Sequence, residues 1–497
     1  MRQDKVEVDQ RRRVGWWLVA AEGIAVFLCG LAAVLGVWVW QNWVAVWERV
    51  EQTSPTAMPD RVVTPSLPEA GPAEEEEVDA AGNLTGGRLV LIDANRQVAT
   101  LDGDGGNRRQ LTEDERLYLF PVWSPDGEQI AVLGSDDAGS GVYVLRDVAM
   151  SAQGEDAAAN AGSPRRLYYS QTGSPFYLYW SPDSQFVTIL ANHPSGLGLY
   201  LAAASGEAEV KLLTTGQPFY WAWSPDAERL LIHTGANQEG ARLVFLEPTG
   251  AEVGENLGVP GSFQSPGIAP SGQRWAFTVE DAAGARWLVI QNSLGEAESR
   301  IPHVGTMALS WSPAADKLAF ISPYNGSSQG GADLFGPMRL YDAETGQTTL
   351  LTEQRVVAFF WSPDGRRLAF LTLHRFDSIE AGIEGAQPVV EPFLIKDGLN
   401  RPLRQQGQLP ELDLWVLDVA SENVGFVTSF TPTPLFVGQF LPFFDQYALS
   451  HRLWSPDSSA VALPVAENGV SHIMVIPVDG RRPQIVSDGV IAFWRPE

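Results

Sequence analysis

The sequence holds one cysteine, Cys29, among 497 residues. No intramolecular disulfide can form, and no C-x-x-C pair offers a zinc or redox site. A chain of this length with 44% hydrophobic residues can bury a core large enough to do without staples. Histidine is scarce too. Positions 193, 233, 303, 374, 451 and 472 show no H-x-x-x-H spacing, so no metal site is expected. Basic residues are outnumbered, 34 Lys and Arg against 60 Asp and Glu, for a formal net charge of −26. Phosphate contacts need Lys and Arg, so nucleic acid is excluded as an expected partner, and the acidity reads as solubility.

Signatures of catalysis are also missing. The G-x-S-x-G match Gly326-Ser327-Ser328-Gln329-Gly330 lies in a Gly/Ser-rich loop, without the strand and helix that a nucleophile elbow needs. Asp102-Gly103-Asp104-Gly105-Gly106-Asn107, with Glu113, faintly resembles a calcium loop, but Asn stands where the sharp turn needs Gly and strands flank it. It reads as a hairpin turn. No glycine loop follows a strand and opens a helix, so no cofactor is expected and no catalytic residue is nominated.

What is present begins with an apolar run from Val14 to Trp40, broken by one charge, Glu22. At about 1.5 Å per residue it can cross a ~30 Å hydrocarbon layer. Trp16 and Trp17 mark one end, and Trp38, Trp40, Trp43 and Trp47 the other, as interfacial belts. Arg11, Arg12 and Arg13 precede the run and acidic sequence follows it. The expectation is a cytoplasmic basic tail (1–13), a single transmembrane helix (14–40) in the cell membrane, and everything beyond it extracytoplasmic. The run is too long for a cleaved signal and no A-x-A-like site closes it. Bulky Val26-Phe27-Leu28 before Cys29 speak against a lipid anchor. Residues 41–85, with five prolines from Pro55 to Pro72 and the run Glu74 to Glu77, read as an acidic, extended tether.

From residue 86 on, one word repeats. Trp-Ser-Pro-Asp-Gly stands at 123–127 and 361–365, with near copies at Trp180, Trp223, Trp311 and Trp454 and a degenerate copy, Ile268-Ala269-Pro270-Ser271-Gly272. The spacing runs from 43 to 57 residues, with one step of 93. Each unit reads as four short strands, A to D, with this turn between A and B. Periods of 40 to 50 with β-type patterning signify propeller blades. Residues 88–112 supply B, C and D strands without an A strand, and Ile491-Ala492-Phe493-Trp494, at the head of 491–497, supplies an A strand. The predicted fold is all-β: an eight-bladed propeller of four-stranded antiparallel blades over 86–497, closed by the C-terminal strand and preceded by the transmembrane helix. The repeat residues, Trp123, Asp126, Trp180, Asp183, Trp223, Asp226, Trp311, Trp361, Asp364, Trp454, Asp457 and Trp494, are expected to be structural, with Trp between blades and Asp fixing the turn.

At these residues the sequence resembles the TolB-type, WD40-like propeller repeat, which also occurs in prolyl-oligopeptidase-like and tricorn-like peptidases. The resemblance covers roughly 86–497 and implies the fold; a fold hosts many functions. TolB itself has a cleaved signal, an N-terminal α/β domain and a smaller ring. Those departures speak against a Tol–Pal role.

Three long insertions, 322–336, 373–411 and 429–449, are all B–C or D–A connections, so strand parity places them on one face. The second carries Phe376, Phe393, Arg401 and Arg404, and the third Phe430, Phe436, Phe440, Phe443, Phe444 and Tyr447. Two readings stand. The aromatics either fold down and cap the ring, or form a protein-binding patch with aromatic and Arg anchors. The expected function is a membrane-anchored recognition, scaffold or sensor module in an envelope complex. The alternative is a propeller enzyme acting on glycan or peptide with paired carboxylates at the central channel.

Overall fold

The computed structural model describes residues 86–147, 164–235, 240–322, 336–374 and 409–497. The expected tail, span and tether (1–85) and the candidate residues Phe376, Phe393, Arg401 and Arg404 lie outside the described residues. Among the described residues no helix is long and apolar enough to cross a membrane.

The described chain forms eight antiparallel sheets in sequence order around a ring. Blade 1 spans 117–170, blade 2 175–216, blade 3 219–253, blade 4 267–303, blade 5 308–356 and blade 6 358–430. Blade 7 has three full strands, Ala460–Glu467, Val470–Pro477 and Gln484–Asp488, and its inner strand is reduced to the bridge between Trp454 and Val461. Blade 8 joins the two ends of the chain. Ile491–Trp494 pairs with Arg88–Ile92, which pairs with Val98–Asp102, and Arg109–Gln110 lies outermost. Among the described residues of the 93-residue step there is no ninth blade. The step is lengthened by the link between two paired strands of blade 6, Arg367–Leu373 and Leu412–Asp418, and by a helical segment after Phe430.

The repeated turn works the same way in the five blades that keep both its Ser and its Asp. The serine hydroxyl donates to the aspartate two residues on, at 2.5 Å in Ser124–Asp126, Ser181–Asp183 and Ser224–Asp226 and at 2.6 Å in Ser362–Asp364 and Ser455–Asp457. The same carboxylate accepts the backbone N–H two residues further along, as Asp126 does from Glu128 and Asp364 from Arg366. The residue after Asp is left-handed, with φ 69° at Gly127 and 66° at Gly365, which glycine adopts without a Cβ clash. The tryptophans bridge blades. Trp180, Trp361 and Trp454 donate their indole N–H to Val122, Ser310 and Phe360 carbonyls, each on the inner strand of the preceding blade. Trp223 donates to Thr188, and Trp123, Trp311 and Trp494 are buried at the corresponding positions. The Asp102–Asn107 segment is a hairpin turn in which the Asn107 amide donates to Asp102.

Two arginines tie blade 8 to blade 1. Arg495 donates to the Gly127 carbonyl at 2.8 Å and lies 5.8 Å from the Trp123 ring centroid. Arg88 holds Asp147 at 2.5 Å, Asp102 at 2.8 Å and Thr100 at 2.7 Å, and Thr100 in turn donates to Asp147. Asp147 is buried between this guanidinium and that of Arg109, 3.6 Å from its other oxygen. Arg88→Ala is expected to lower stability by about 3–5 kcal/mol, the usual cost of stranding one member of a buried pair. In chemical denaturation the Arg88→Ala/Asp147→Ala double variant should recover part of that loss, and strictly additive losses would show that the pair is not coupled.

Candidate functional site

The segment after Phe430 is where the chain departs furthest from a plain propeller. A π turn at Phe436–Phe440 and a 3-10 turn at Leu441–Phe443 lead into a short helix, α1 (Phe444–Ala448). Phe436, Phe440 and Phe444 recur every four residues and Tyr447 follows three later, so their rings gather on one helical face.

This segment reaches the inner strand, or the residues leading into it, of every blade. Phe440 and His451 pack on Phe493 of blade 8, and Tyr447 and His451 on Phe120 of blade 1. In blade 2, Tyr177 donates to the Gln446 carbonyl at 2.7 Å. In blade 3, the Gln446 amide brackets Trp221, accepting from its N–H at 3.0 Å and donating to its carbonyl at 3.0 Å. In blade 4, Ser265 N–H donates to Asp445 at 3.2 Å, and the Gln264 amide to the Pro442 carbonyl. The helix packs on the inner strand of blade 5, and Phe444 meets Phe359 and Phe360 of blade 6. Blade 7 begins where the segment ends, at Trp454. Only an element on the ring axis can touch all eight, so 431–451 fills the central channel from the face of the D–A connections.

The candidate partner anchors are corrected by this placement. Phe430, Phe436, Phe440, Phe444 and Tyr447 are buried and do not face outside, the last four packing against one another and the inner strands. Phe443 stays 37% exposed. The polar residues that hold the segment, Asp445, Gln446, Ser450 and His451, were not singled out from the sequence. The four-residue aromatic spacing was the available signal for a helix here.

The electrostatics are those of an interior. Burial pushes the Asp445 carboxyl up to about 7, against the opposing pull of the Ser265 and Gln446 N–H groups. Burial also holds His451 down to about 3, so it is neutral at physiological pH, and its Nδ1 lies 2.6 Å from Ser450 Oγ. Ser450 Oγ lies 2.8 Å from the Tyr177 hydroxyl, whose ionisation burial opposes. These groups serve one another and the main chain. Phe120 has a left-handed φ of 48° at a bulge in its strand, and its ring sits 5.0 Å from that of Tyr447. An aromatic residue tolerates that conformation only where its surroundings enforce it.

A second polar cluster lies where the strands flanking the longest insertion meet. His374 Nδ1 is 2.8 Å from Asp413, Ser429 donates to the same oxygen at 2.6 Å, and Glu411 is 3.9 Å from His374 Nε2. The serine and the ring nitrogen both turn to Asp413, which is not the order that activates a nucleophile. Among the described residues no group of three or more His, Cys, Asp or Glu is placed to hold a metal.

No protein-family model matches the sequence, and no curated protein is recognisably similar to it. Among solved structures, a eukaryotic initiation factor is 11% identical, with 83% of this chain and 99% of that one covered and a TM-score of 0.47. An oligogalacturonate lyase from Vibrio parahaemolyticus is 14% identical, with 79% and 99% covered and a TM-score of 0.42. TolB from Acinetobacter baumannii is 17% identical, with 74% and 79% covered and a TM-score of 0.34. Likeness at these levels says nothing about activity, and the eight-bladed architecture rests on the strand pairing of the chain itself.

The raised Asp445 sets a pH dependence. The folded protein holds this proton to higher pH than the unfolded chain, so the stabilising contribution is complete below about pH 4 and is lost as pH rises through about 7. Asp445→Asn is therefore expected to raise stability relative to the natural chain at pH 8, by on the order of 2–4 kcal/mol, with little difference near pH 4. Melting curves across that range check it, and a gap that does not change with pH would refute it.

Proposed function

We propose that the protein is a membrane-anchored member of the TolB-type repeat propellers, held in the cell membrane by a helix over 14–40, that works outside the cytoplasm as a protein-recognition scaffold or sensor. Its binding face is the one that bears the long insertions. The observation that carries this reading is the filled axis. A propeller enzyme with a channel site needs an open channel with convergent polar groups. Here the segment 431–451 occupies the axis, with Gln446 bonded to the main chain of Trp221 and Asp445 to the Ser265 N–H.

With the axis filled, the loops remain as the place for specificity. The described strands flanking 323–335 and 375–408 are B and C strands of blades 5 and 6, so both connections leave the face from which the axial segment descends. The chain enters the ring on the opposite face. Gly87 lies against Trp494 and Pro456 there, beside the repeated turns. Phe376, Phe393, Arg401 and Arg404 are the anchors proposed for the partner contact, with Phe443 at its edge.

The test is crosslinking and co-purification of the anchored full-length protein from its own host, beside a variant with 375–408 replaced by a short Gly/Ser linker. The axial segment must be kept, since removing it would empty the core. A specific partner lost with the loop, at unchanged melting temperature, is the expected result; the same partners with and without the loop would overturn it. For topology, alkaline phosphatase fused after Glu497 is expected to be active, and inactive once 14–40 is deleted. Activity that survives the deletion would remove the anchor from this reading.

A further inference from the structure

We propose that a groove on the outer wall of blade 1 binds an acidic peptide segment through Arg166. The groove measures about 540 Å³ and is lined by Arg116, Asp136, Tyr143, Arg166, Tyr169 and Gln171. It lies on the side of the blade that faces blade 8, because Tyr143 shares that side of the sheet with Leu145, Ile130 and Trp123. Among the described residues the outermost strand of blade 8 is Arg109–Gln110, with two residues.

The floor is built for close ring packing. A Cβ on Gly134 would stand 2.9 Å from the Tyr118 ring and 3.0 Å from the Tyr143 ring, and one on Gly139 would stand 2.9 Å from the Tyr169 hydroxyl. Glycine at these two positions lets the tyrosines lie against the backbone. Each guanidinium then covers a ring, Arg116 over Tyr143 at 4.9 Å and Arg166 over Tyr169 at 5.2 Å. Stacking of this kind uses the flat face of the guanidinium and leaves its N–H edges for oxygen ligands.

The two arginines are not equivalent. Arg116 is engaged by Asp114 at 2.6 Å and the Tyr118 hydroxyl at 3.3 Å. Arg166 has no ion-pair partner among the described residues. Opposite them, Asp136 Oδ1 accepts from the Tyr169 hydroxyl and from Ala138 and Gly139 N–H, each at 3.0 Å, while Oδ2 has no hydrogen bond among the described residues. The groove therefore offers donors for a carboxylate and, beside them, an acceptor for an N–H. An acidic side chain followed by its own main chain presents that pair. A polyanion carries no such N–H beside its charge.

The test uses the full-length chain, labelled, on an array of short peptides with degenerate flanks and a fixed central Glu, Asp, Gln, Asn or Lys. Glu- and Asp-centred peptides should retain the natural chain about tenfold more than their amide counterparts, the scale of a charge-assisted hydrogen bond. Arg166→Gln should abolish that preference, and Arg166→Glu should turn it toward Lys, both at unchanged melting temperature since the side chain lies on the surface. Equal retention of acids and amides by the natural chain, or an undiminished preference in Arg166→Gln, would overturn the proposal. So would full competition by excess free glutamate, which would assign the groove to a small acid. The groove is on blade 1 and the insertions are on blades 5 and 6, so the array result stands apart from partner capture through the loops.

Discussion

Eight blades leave a bore that inner-strand side chains alone do not close, and the packing of Phe436, Phe440, Phe444 and Tyr447 on the ring axis is what closes it. The ring depends on this contact from the inside. Gln446 joins the axial segment to Trp221 main chain through both ends of its amide, and the segment then runs directly into the inner strand of blade 7. That inner strand is reduced to a single bridge. The segment is thus core and connection at once. The buried carboxyl is held there by the Ser265 and Gln446 N–H groups, and the neutral histidine through Nδ1 by Ser450.

A filled axis moves the places for a ligand outward. Propellers offer three of them: the channel, the two loop faces and the outer wall between blades. The first is occupied by the chain itself. What remains are the insertions of blades 5 and 6 on one face and the Arg-Tyr groove on the wall of blade 1. A rigid ring with its core sealed is a good platform for both. The indole bridges between blades and the Arg88 and Arg495 ties at the closing seam resist splaying of the blades.

Much of this architecture was legible in the chain. The Trp-Ser-Pro-Asp-Gly words mark the A–B turns because Ser, Asp and the left-handed position each meet a local hydrogen-bonding or conformational need, and local needs can be read from neighbours in sequence. The degenerate copy at 268–272 keeps the turn, with the Gly272 N–H bonded to Ala269, although it lacks both Trp and Asp. Strand parity likewise assigns each insertion to a face. The direction of the aromatics in 430–447 was not legible. Phe440 and Phe443 are the same residue type three positions apart, yet one is fully buried and the other 37% exposed.

Local periodicity, turn chemistry and composition were enough for the repeat, the blade count, the places where the pattern is interrupted, and the acidic, cysteine-poor character that removes several function classes. They were not enough to show that the aromatic interruption turns inward, that Asp445 and Gln446 meet blades 3 and 4, or that Arg116, Tyr143, Arg166 and Tyr169 line one groove. Those outcomes depend on which distant strands face the axis or a neighbouring blade once the ring closes. Gln446 and Trp221 are brought together across 225 positions of sequence. No local pattern encodes a contact of that separation; it exists because closure of the ring sets eight inner strands around one axis.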